Sequence, residues 1–65
     1  MKVRLNGVET EIGAKNLREL LDELEINPQK VVVEVNLQIV KRDRLSEYEI
    51  KDGDSIEIVN FVGGG

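Results

Sequence analysis

Hydrophobic and polar residues alternate from the first residue on. Val3 and Leu5 fall on one side of the opening segment, and Lys2 and Arg4 on the other. The alternation resumes at Val8–Ile12, where Glu9 and Glu11 take the outer face. Between the two segments stands Asn6-Gly7, whose residues both tolerate the positive φ of a type I′ turn. The pattern predicts a hairpin with strands at Lys2–Leu5 and Val8–Ile12. The period then changes. Leu17, Leu20, Leu21 and Leu24 recur at helical spacing, with Arg18, Glu19, Asp22 and Glu23 on the opposite face. Asn16 is placed to cap this helix, with Glu19 in capping-box position, and Arg18 and Asp22 are spaced to interact. Pro28 disfavours helical geometry at Asn27, so the helix is expected over about Leu17 to Glu25.

Past the helix the pattern turns to strands. The β-branched run Val31–Val35 predicts a buried strand. Asn36 opens a turn, and Leu37–Val40 is a second short strand. Lys41–Arg44 reads as a charged loop. Leu45 and Tyr48 are spaced for one helical turn over the edge of the core. Asp52-Gly53-Asp54 reads as a tight turn, and the last strand runs from Ser55 to about Phe61. One helix with one leucine stripe and one mixed sheet pack most economically as a two-layer α+β domain. The expected division is a domain over residues 1–62 and a flexible glycine tail over 63–65.

Composition narrows the function classes. The chain has 65 residues, enough for one small domain. It has no cysteine and no histidine. That excludes disulfide staples, the usual zinc sites, a cysteine nucleophile, a persulfide-bearing cysteine and a histidine general base. No apolar run approaches the length of a membrane span and no leader pattern is present, so a cytoplasmic protein without a membrane partner is expected. The net charge of −4 argues against nucleic acid as the main ligand. It favours a partner with a basic docking surface. A single Tyr and a single Phe leave no stacking platform for bases. The free protein is expected to be monomeric and to need no cofactor.

Most polar clusters have plain readings. Asp52 and Asp54 lack the further oxygen ligands that a metal site needs. The acidic helix face (Glu19, Asp22, Glu23, Glu25) reads as solvated, as does the basic segment Lys41, Arg42 and Arg44. Ser46 and Ser55 have no base to activate them. The remaining chemistry lies at Gly63, Gly64 and Gly65. Terminal glycines are often only disordered ends. They also make a thin stalk, without Cβ atoms, that can carry a carboxylate into a narrow channel. The sequence has no glycine loop of the phosphate-cradling kind, so ATP would have to be held by another protein. It has no thiol either, so any sulfur it carries must sit on the terminal carboxyl. If Ile56 and Ile58 face the helix, Val59 and Phe61 fall on the opposite face of the sheet. Phe61 is then an exposed anchor for a partner, unless a bulge turns it inward.

Taken in order, these segments resemble the ubiquitin-like β-grasp sulfur carriers, and among them the ThiS-type carriers of thiamin biosynthesis. The points of likeness are the Asn6-Gly7 turn, the Leu17–Leu24 stripe, Val35-Asn36 before Gln38-Ile39-Val40, Asp52-Gly53-Asp54, and the ending Ile58–Gly65. Lys41 departs from the family, which often has proline there, and Gly63 lies where members vary. The resemblance implies a fold in which the first strand lies parallel to the last. It implies a non-enzymatic carrier whose Gly65 carboxylate is adenylated by an ATP-dependent adenylyltransferase of the ubiquitin-activating type. A persulfide donor then yields a Gly65 thiocarboxylate, and a thiazole synthase takes the sulfur. Val59 and Phe61 are the candidate partner-binding residues, with Gly63 and Gly64 as the tail. A carrier for molybdopterin or another thiolation pathway, a ubiquitin-like modifier and an inert β-grasp module are the alternatives.

Overall fold

The computed structural model describes residues 1–61. Strands β1 (Lys2–Leu5) and β2 (Val8–Glu11) form the expected hairpin, with Leu5 opposite Val8. Its turn places Asn6 at φ 48° and Gly7 at φ 83°. Helix α1 (Leu17–Glu23) follows, then β3 (Val31–Val35), β4 (Gln38–Val40) and β5 (Ser55–Asn60). The sheet order is β2-β1-β5-β3-β4. The last strand therefore lies at the centre, parallel to β1 and antiparallel to β3. The parallel pairing of first and last strand is as expected.

The helix begins as its sequence predicts and ends sooner. Asn16 Oδ1 accepts a hydrogen bond from the Glu19 backbone N–H at 2.8 Å. Glu19 Oε1 reaches back to accept from the Lys15 N–H at 3.0 Å. At the other end Leu24 is the cap, and Glu25 adopts left-handed backbone at φ 58°. The Ile26 N–H donates to the Leu21 carbonyl at 2.8 Å, and the Glu25 N–H to the Asp22 carbonyl at 3.1 Å. This is a Schellman stop, which closes the helix before Pro28 can act. As a result Leu24 leaves the stripe and is 37% exposed. Half-buried Ile26 packs against the core in its place.

Two other segments differ from expectation. Leu37 belongs to the β3–β4 turn at φ 73°, so β4 starts one residue later, at Gln38. The helical turn expected at Leu45 is present but starts earlier, as a 3-10 helix over Arg42–Glu47 that takes in most of the expected Lys41–Arg44 loop. Its one buried residue, Leu45, closes the edge of the core. The three buried leucines of α1 meet Val3, Val33, Val35 and Ile56 from the sheet. Full burial of such side chains contributes about 1.5–3 kcal/mol each, which is the main stabilising force in a domain this small. The result is the two-layer α+β architecture, with one sheet face covered and the other open.

Candidate functional site

The candidate site is the end of β5 and the open sheet face around it. β5 is held from both flanks by backbone ladders, and two asparagine side chains add to them. Asn36 Oδ1 accepts from the Ser55 N–H at 3.0 Å, while the Asn36 N–H donates to the Ser55 carbonyl at 2.8 Å. Asn6 Oδ1 accepts from the Ile58 N–H at 2.8 Å, and the Asn6 N–H donates to the Ile56 carbonyl at 2.8 Å. Each asparagine sits in a hairpin turn at positive φ, so the turn conformation aims its amide at β5. Asp52-Gly53-Asp54 does similar work at the start of the strand. Asp52 Oδ1 accepts from the Lys2 N–H at 2.8 Å, and Asp54 Oδ2 from the Lys51 N–H at 2.9 Å. Their carboxylates are committed to turns, and no group of residues among those described could hold a metal ion.

Register fixes the open face. Val59 stands opposite Val32, and Ile39 opposite Glu34. Val59 is 50% exposed, Ile39 66% and Val32 36%. The Phe61 N–H donates to the Lys30 carbonyl at 3.1 Å, which continues the register that pairs Val31 with Asn60. No bulge intervenes, and Phe61 follows Val59 on the open face. It is half-buried and not fully exposed. It borders a groove of about 240 Å³ whose lining includes Pro28, Val32, Ile39, Lys41 and Arg42. Of the sequence candidates, the structure brings Val59 and Phe61 together. It adds Val32 and Ile39, which sequence reasoning missed. Val32 was hidden inside a valine run that reads as buried on both faces, and Ile39 joins the patch only through strand pairing. Gly63, Gly64 and Gly65, and with them the boundary at residue 62, lie outside the described residues.

The remaining polar candidates keep their plain roles. Arg18 and Asp22 pair at 3.3 Å on an exposed helix face. Arg44 pairs with Glu47 at 3.0 Å. Among the described residues no helix is long and apolar enough to cross a membrane.

The comparisons with known proteins agree with this architecture. A sequence profile described as the ThiS family matches residues 3–65. The chain is 38% identical to the sulfur carrier protein ThiS of Bacillus subtilis over 65 residues, covering 97% of this chain and 98% of that protein. It is 42% identical over 66 residues to a thiazole synthase of Paramagnetospirillum magneticum, covering all of this chain and 20% of that protein. The chain thus spans about a fifth of the length of that relative. The crystal structure of a thiamine biosynthesis protein (ThiS) from Geobacter metallireducens superposes with a TM-score of 0.85 at 35% identity, covering 100% of both chains. The five-stranded mixed sheet with one main helix is the ubiquitin-like β-grasp fold, and the chain belongs to the ThiS family.

Proposed function

We propose that this chain is a sulfur carrier protein of thiamin biosynthesis, a protein cosubstrate and not a catalyst, with Gly65 as the reactive residue. The observation that carries the reading is the family match running through residue 65 behind a final strand clamped at the centre of the sheet. A carboxylate is a poor acyl donor until one oxygen gains a better leaving group. The Gly65 carboxylate attacks the α-phosphorus of ATP on an adenylyltransferase, and pyrophosphate leaves. The terminal sulfur of a donor persulfide attacks the acyl carbon, the bond to AMP breaks, and a thiol then cleaves the sulfur–sulfur bond to free the thiocarboxylate. A thiazole synthase accepts this sulfur. The likeness to one fifth of a protein named thiazole synthase supports that acceptor over those of other thiolation pathways. The absence of cysteine and the need for ATP support a cytoplasmic setting. Val59 and Phe61, with Val32 and Ile39 beside them, form the partner-binding face.

The reading is tested by intact mass after incubation with ATP, the adenylyltransferase and a persulfide donor. The expected gain is the difference between one sulfur and one oxygen atom. An unchanged mass contradicts a carrier, and a ladder of lysine conjugates points to a protein modifier.

A further inference from the structure

The net charge of −4 suggests a basic partner, but charge is not spread evenly over the open face. Lys30 is the last residue of a 3-10 helix, Pro28–Lys30, that leads into β3, and its carbonyl accepts from the Phe61 N–H. Lys41 continues the β4 register, which pairs Val33 with Val40, to stand opposite Val32. Arg42 is pinned by its Nε donating to the Pro28 carbonyl at 3.2 Å, and its side chain borders the same groove. That groove is lined by two cations and no carboxylate. Among the described residues, Lys2, Arg18, Arg44 and Lys51 each have an acidic partner, whereas Lys30, Lys41 and Arg42 have none, as is also true of Arg4 and Lys15. At the other end of the face Glu34 and Glu57 stand directly opposite each other, a like-charge pairing that disfavours the isolated sheet. Over β3, β4 and β5, cations therefore lie beside Phe61, then come Val32, Ile39 and Val59, then carboxylates; Lys2 and Arg4 of β1 stand on the same open face at the carboxylate end.

We propose that the Phe61 end of this face docks on an acidic, apolar patch at the active-site entrance of the adenylyltransferase, with Lys30, Lys41 and Arg42 meeting its carboxylates. The inference rests on the carrier reading. An extended stretch from Phe61 to Gly65 reaches roughly 14 Å at most, so the surface around Phe61 must lie against the channel that admits the terminus. Charges at the rim of such a contact steer encounter and set its orientation.

The test uses the full chain with Lys30→Glu and Lys41→Glu together, and a second variant with glutamine at both positions. Neither side chain holds another residue of the fold by an ion pair, so melting curves should match the parent. Binding to the adenylyltransferase should weaken by roughly tenfold or more for the glutamate variant and by less for the glutamine variant. The salt dependence of the association rate should flatten in the same order. Unchanged affinity and salt dependence would overturn the proposal. So would a rise in the KM for ATP at unchanged carrier affinity, because the cations would then serve nucleotide phosphates. Sedimentation showing a parent dimer that the glutamate variant dissolves would assign the face to a second copy and also overturn it. A parent chain that neither binds nor supports pyrophosphate exchange would instead remove the carrier reading itself.

Discussion

Leu37 is the least expected residue in the fold. It occupies the second turn position of the β3–β4 hairpin at φ 73° and is 90% exposed. Asn6 and Asn36 also take positive φ, but their short amides tolerate it and are used to hold β5. Leu37 gains no such bond, and its side chain is left in water. Left-handed backbone costs a non-glycine residue about 1–2 kcal/mol, while glycine carries about 0.5–1 kcal/mol more unfolded-state entropy. Leu37→Gly should therefore raise the unfolding free energy by ~0.5 kcal/mol in a urea titration. A loss of stability would show that Leu37 makes contacts its exposure conceals. Gly7 offers the mirror case. A Cβ there meets nothing within 4 Å, yet φ is +83°. Gly7→Ala should cost about 1–2 kcal/mol through backbone strain alone. At Phe61, substitution by Ala should weaken adenylyltransferase binding by about 2 kcal/mol. Half-burial predicts a smaller loss of stability, and the reverse ranking would make Phe61 a structural residue.

At the scale of elements, the helix end carries its own prediction. The Schellman stop requires left-handed backbone at Glu25, where glycine is the usual choice. Glu25→Gly should stabilise the domain by up to about 1 kcal/mol without lengthening α1, as read by thermal melts and amide exchange. Strands were legible because period-two alternation and Asn6-Gly7 state their register locally. The start of α1 was legible because a cap is a short-range signal. Its end was not, because Pro28 masked a stop made by a glutamate, a residue with no special preference for that backbone. The basic segment after β4 looked like a loop because Leu45 alone in Arg42–Glu47 is buried. The site was legible in part. Alternation placed Val59 and Phe61 on the open face, but Val32 and Ile39 reach them across strands, and a single strand's sequence does not record what it pairs with.

In the proposed carrier, the whole domain serves as the base for one reactive end. The strand leading to that end is central, paired on both sides and clamped by two turn asparagines, so its direction is fixed by the fold. In that reading, the greatest reach from Phe61 to the Gly65 carboxylate depends on residue count. Removing one residue withdraws the carboxylate by about 3.4 Å, while a misplacement of even about 1 Å can cost a reaction about 100-fold. The account is tested most directly by ATP–pyrophosphate exchange on the cognate adenylyltransferase, with the full chain and the chain lacking Gly65 compared at matched melting temperatures. The account predicts exchange with the full chain and a loss of about 100-fold or more without Gly65. Equal exchange by the two chains would contradict it.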